Sequence, residues 1–166
     1  MTRDEFQALL ASPEGRRVEF KEAKGNFHFD ELAKYCVALA NEGGGKVILG
    51  VTNARPREAV GTAAFKEPGR TEAGLFDELS QHIPVEEYLH DDKRVLVVDV
   101  PSRLPGRAWN YKGSYLMRAG DSLLPMSDDR LQGIHAETGP DFSAEICDKA
   151  RLADLDPNAI EVLRGL

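Results

Sequence analysis

The chain has 166 residues, 42% hydrophobic and 30% charged, which suits one globular domain with a real core. Its formal net charge of −7 argues against a protein that coats duplex DNA by counterion release, so any nucleic-acid contact has to use a local basic patch. No apolar run approaches the roughly 20 residues that span a bilayer, and the first six residues lack the basic start and apolar core of a signal peptide; no membrane association and a cytoplasmic location are the expectations. The cysteines, Cys36 and Cys147, form no C-x-x-C pair, and the four histidines do not cluster, which argues against a structural zinc site.

Residues 2–11 read as a short amphipathic helix, with Phe6, Leu9 and Leu10 on one face and Asp4 and Glu5 in the first turn. Residues 16–23 alternate polar and apolar. They predict a half-buried strand whose Arg17, Glu19 and Lys21 share the face away from Val18 and Phe20. The strongest helical pattern covers residues 29–42, where Leu32, Tyr35, Cys36, Leu39 and Ala40 form an apolar stripe and Gly43-Gly-Gly45 stops the helix. Residues 46–52 are a continuous apolar strand of the kind found in the centre of a sheet, and Val60-Gly61 reads as a short return. A helix is expected over residues 72–83, ended by Pro84. A hairpin follows, with strands at 85–90 and 93–100. Short strands at 108–110 and 114–118 flank Lys112-Gly113. Residues 119–121 turn, and residues 127–137 form a helix with Ser127 as N-cap. The pattern changes from Thr138 onward. Residues 1–137 read as one domain and residues 138–166 as a C-terminal extension that opens a linker or next module of a longer protein.

Glu14-x-x-x-Val18-Glu-Phe-Lys21, then Ala38-Leu-Ala-Asn41-x-Gly43-Gly44 and Val47-Ile-Leu-Gly-Val51, resembles the AlbA-type domain of the Schlafen superfamily, as do Tyr115-Leu-Met-Arg118-Ala-Gly120 and Pro125-Met-Ser127. The resemblance implies an α+β fold, a mixed sheet with flanking helices, and nucleic acid (DNA or structured RNA) as partner. It also implies longer relatives that carry winged-helix or ATPase-like modules. In animal Schlafens two such lobes clamp structured RNA, and some cut tRNA or rRNA; a single lobe would need a homodimer to build that clamp.

The family's nucleases use two glutamates five residues apart and an aspartate just past the Gly-Val strand, which together hold a divalent metal that activates water. Glu14 and Glu19 match the first two positions. Thr52 and Asn53 stand at the third, so the site is short of one negative charge, and Asn53 offers only a neutral oxygen. A metal set of Glu14, Glu19 and Asn53 with Mg or Mn is the expectation of the nuclease reading. The bland alternative for Glu19 is an ion pair with a neighbouring cation, worth tenths of a kcal/mol if exposed.

Arg16, Arg17, Lys21 and Lys24 form one basic group, and Arg103, Arg107, Lys112 and Arg118 a second. Charge-assisted contacts from such groups hold phosphate backbones, and Trp109, Tyr111 and Tyr115 are placed to stack on exposed bases. Gly43-Gly-Gly-Lys46 follows a helix and opens a strand, the reverse of a phosphate-binding loop, which argues against ATP binding in this domain. Asn41, Gly43 and Gly44 are expected to build a tight structural turn. The leading expectation is a nucleic-acid-binding domain of a regulator or defence protein. The alternatives are a metal-dependent endoribonuclease using Glu14 and Glu19, and a homodimerising scaffold or sensor.

Overall fold

The computed structural model describes residues 1–12, 17–120, 122–137 and 151. Glu14, Arg16 and Cys147, and all of the C-terminal extension except Arg151, therefore lie outside the described residues. The elements are α1 (Arg3–Ala11), β1 (Val18–Lys21), α2 (Phe29–Asn41), β2 (Gly45–Leu49), α3 (Pro68–Leu79), β3 (Val85–His90), β4 (Lys93–Val100), β5 (Asn110–Tyr111), β6 (Ser114–Ala119), β7 (Ser122–Pro125) and α4 (Asp128–His135).

Four strands make a mixed sheet in the order β1-β2-β4-β3. β1 runs parallel to β2, with Glu19 opposite Val47 and Lys21 opposite Leu49, and the remaining pairs are antiparallel. β2 is central, which is why its residues carry almost no polar side chains. A second sheet, β5-β6-β7, packs over α2. The chain has the expected α+β architecture.

The alternation of each strand divides the sheet into two apolar layers. Val47, Leu49, Leu96, Val98 and Val100 pack with α2 and α3, whereas Phe20, Ile48, Val95 and Val97 pack with Phe6 of α1. α2 is enclosed on nearly every side: from Leu32 to Asn41 only Lys34 is exposed. The stripe read from the sequence is buried as expected, and Ala33, Val37 and Ala38 are buried too because the second sheet covers the opposite face.

Local signals account for the ends of the elements. Thr2 accepts the Glu5 amide and Glu5 accepts the Thr2 amide, a capping box that starts α1. At the end of α2, the Gly44 amide reaches Leu39 O (2.8 Å) and the Gly43 amide reaches Ala40 O (3.2 Å). Gly43 and Gly44 hold φ of +97° and +85°, so this is a Schellman closure that only glycine enters without strain. α3 begins earlier than expected because Pro68 sits in its first turn, and it ends earlier because Ser80 turns left-handed. β7 is an addition to the sequence reading: its pairing partner β6, and not its own pattern, makes residues 122–125 a strand.

Candidate functional site: a buried carboxylate and an arginine-lined corner

Glu19 and Lys21 project from β1 toward the α2 layer, since their partners Val47 and Leu49 belong to that layer. Glu19 is 1% exposed, so the face expected to be solvated is enclosed by α2 and the second sheet. Arg118, from β6, crosses between the two sheets and donates through Nη1 to Glu19 Oε2 in a short, fully enclosed ion pair. Its Nε and Nη2 donate to Gly120 O at 3.3 and 3.2 Å. The other carboxylate oxygen of Glu19 takes Lys21 Nζ at 2.9 Å. Lys21 Nζ also stands 4.9 Å from the Tyr35 ring centroid, and the Arg118 guanidinium 5.8 Å from it.

Burial alone would lower the Lys21 pKa, but its contacts with Tyr35 and Glu19 outweigh burial and push it upward. Burial pushes the Tyr35 hydroxyl up. Two cations thus surround one carboxylate beneath an aromatic ring. Arg118 was expected at a phosphate-facing surface and is instead 1% exposed, because Glu19 is the charge that permits a guanidinium in the interior.

Of the expected metal set, Glu14 lies outside the described residues, and Glu19 is already engaged. Both Glu19 oxygens are taken by cations. The Thr52 hydroxyl accepts the Glu58 amide at 2.9 Å and donates to Ala54 O, which folds it into its own turn. Among the described residues no group of three or more His, Cys, Asp and Glu is placed to hold a metal.

Asn41 is buried and ties α2 to the second sheet. Its Nδ2 donates to Trp109 O and Leu116 O (2.9 Å each), and its Oδ1 accepts the Trp109 amide at 2.8 Å. It therefore fastens partners 68 and 75 residues away rather than the adjacent glycine turn. Trp109 and Tyr111, expected to stack on bases, are 8% and 3% exposed and belong to the core. The Tyr111 hydroxyl donates to Asp30 at 2.7 Å. Lys112 remains at the surface, 3.3 Å from Asp30, and Lys24 lies 3.2 Å from Glu22.

The glycine turn is one wall of a polar corner. Arg17 is exposed, and its Nη2 lies 3.8 Å from where a Cβ on Gly43 would stand. Gly43 lines a cavity of about 320 Å³ together with Glu42, Arg103, Arg130 and Glu137. Arg103 forks onto Glu137 with two 2.6 Å bonds, which hold the Glu137 carboxyl below its ordinary range. Arg130 stands 3.7 Å from Glu42 Oε2. Glu42 Oε1 and Arg103 Nε are both buried without a hydrogen-bond partner. The motif reading missed Arg130 and Glu42. Their only sequence signal was charge, and α4 brings Arg130 to Glu42 across nearly ninety residues of chain.

A mixed four-stranded sheet, a central buried helix and a short strand lid over it define an α+β domain of the AlbA type. The chain belongs to the Schlafen AlbA_2 family, whose model matches residues 14–127. No curated protein matches it. Among solved structures it is similar to the DIP2311 protein of Corynebacterium diphtheriae, with 21% identity and a TM-score of 0.62, over 98% of this chain and 37% of that one. The chain thus spans little more than a third of that relative. It is also similar to the N-terminal domain of a protein from Nitrosomonas europaea named as related to the ATP-dependent DNA helicase RecG; identity is 22% and the TM-score 0.46, over 75% of this chain and 87% of that one.

Proposed function

We propose that this domain holds nucleic-acid backbone at the corner where Arg17, Arg103 and Arg130 meet, and that it binds rather than cuts. The observation that carries this reading is that the guanidinium groups of Arg103 and Arg130, from widely separated parts of the chain, line one cavity beside the glycine turn, and that a third, Arg17, reaches Gly43 at its edge. Guanidinium forks match phosphate geometry. Glu137, with its side chain 41% exposed, occupies the Arg103 fork, and an incoming phosphate competes with it for the same donors. Membership of the AlbA family supports a nucleic-acid partner. Lys24 and Lys112 are accessible and add peripheral charge, whereas Lys21 and Arg118 serve as internal struts. Both oxygens of Glu19 are engaged by these struts, which favours the binding reading over the nuclease one. One corner of this size reaches few phosphates, so a homodimer presenting it twice is part of the proposal.

Fluorescence anisotropy with a DNA duplex and an RNA stem-loop tests it, with light scattering for the dimer. Binding is expected to weaken with salt, and Arg17→Ala and Arg130→Ala should each lower the logarithmic salt slope by about one. Salt-independent binding, or unchanged binding in both variants, refutes the assignment.

A further inference from the structure

A second cavity, of about 520 Å³, opens on the other end of α2, away from the arginine corner. Its walls are Phe29 and Phe65, with Gly74 of α3 beneath. A Cβ on Gly74 would come within 3.2 Å of the Phe29 ring, so the glycine leaves room for that ring against the helix. Phe65 is held firmly in place: its ring meets Phe27 edge-on at 6.4 Å, and the Arg94 guanidinium grips Thr62 O, Ala64 O and Phe65 O at 3.2, 2.7 and 2.8 Å. The rim carries five exposed ionisable side chains, Lys66, Glu67, Arg70, Asp77 and Glu78. None of them makes an ion pair with another described side chain, although both signs are present.

The charges are sorted along α3. Lys66 and Arg70, against the single carboxylate of Glu67, flank its first turn, and Asp77 and Glu78 lie in its last turns. Seven residues from Arg70 to Asp77 put these ends about 10 Å apart at the helical rise. A ligand that satisfies the whole site is flat in the middle, anionic at one end and a hydrogen-bond donor at the other. That length matches a nucleoside monophosphate measured from base amino group to phosphate, and it exceeds an aromatic amino acid. The volume lies in the usual range for small-molecule sites.

We infer that this cavity binds a nucleoside monophosphate whose base carries an exocyclic amino group. The base lies between Phe29 and Phe65, its amino group donates to Asp77 or Glu78, and its phosphate meets Lys66 and Arg70. The site is separate from the glycine turn and does not depend on the arginine corner.

Calorimetric titration of the full chain with AMP tests this, beside adenosine, which lacks the phosphate, and IMP, in which a carbonyl replaces the amino group. One saturable AMP site is expected, with IMP about tenfold weaker, the loss of one charge-assisted contact, and adenosine weaker still, since it gives up the contacts of both Lys66 and Arg70. Phe65→Gly removes one wall at a position whose φ of +48° suits glycine, so the fold should persist and AMP binding should disappear. Should that variant melt early, the Lys66→Ala/Arg70→Ala pair decides: AMP affinity falls to that of adenosine, and adenosine is unaffected. Absence of AMP binding at millimolar concentration, equal affinity for IMP and AMP, or capture of an aromatic peptide in place of the nucleotide overturns the inference. Arg17→Ala should leave AMP binding intact, which separates this result from failure at the arginine corner.

Discussion

Replacing Arg118 by alanine tests most directly whether Glu19 and Arg118 form an internal strut. In the folded chain Glu19 is 1% exposed and Arg118 0% exposed at the side chain, so truncation leaves a buried carboxylate short of one partner. Breaking such a pair from one side costs about 3–5 kcal/mol. Lys21 stays 2.9 Å from the other oxygen and keeps part of the compensation, which places the expected loss near the low end, about 3 kcal/mol. For a chain of this length that lowers the melting temperature by roughly 6–12 °C. Urea unfolding followed by circular dichroism measures it. Glu19→Leu should cost a similar amount, because it strands the guanidinium. The double variant Glu19→Leu/Arg118→Met should recover most of the loss, since replacing both charges by apolar groups removes the desolvation cost as well as the attraction. A loss below about 1 kcal/mol for Arg118→Ala would equal a surface pair and refute the strut.

Other outcomes follow from the same contacts. Asn41→Ala strands the amide and carbonyl of Trp109 and the carbonyl of Leu116 and should cost about 1–3 kcal/mol for each group left unsatisfied, read by urea titration. At the glycine turn, Gly45→Ala should unfold the chain or fail to express, because the new Cβ would lie 2.2 Å from Arg17 O; Gly43→Asn meets only Arg17 Nη2 in ordinary contact at 3.8 Å, so its cost should be the backbone strain at φ +97°, about 1–2 kcal/mol. Asp30 and Glu137 have lowered pKa values, Asp30 chiefly through the Tyr111 hydroxyl and Glu137 through Arg103, so their stabilisation is present above the ordinary carboxylate range and is lost as pH falls through the lowered values. The urea midpoint should therefore drop on acidification, and Arg103→Gln should flatten the drop. Burial pushes the Cys36 thiol well above its ordinary range. In a Cys147→Ser background it should stay unreactive to a thiol reagent until urea unfolds the protein.

Much of the framework follows from local pattern. The capping box at Thr2 and Glu5, the stripe on α2, the Schellman glycines, the continuous apolar run of β2 and the β3–β4 hairpin all rest on neighbours in sequence, and each forms close to where its residues predict. The alternation Val18, Glu19, Phe20, Lys21 likewise determines that Glu19 and Lys21 share a face. It carries no information about what covers that face. The second sheet does so, and its packing over α2 converts Glu19 from a surface acid into a buried one and draws Arg118 inward from a strand about a hundred residues away. The same packing takes Trp109 and Tyr111 into the core and gives Asn41 its distant partners. Side-chain periodicity is a property of a single element, and the sequence determines it here. Desolvation, and therefore the role of Glu19, Lys21 and Arg118, depends on which elements meet, and only the tertiary structure decides that.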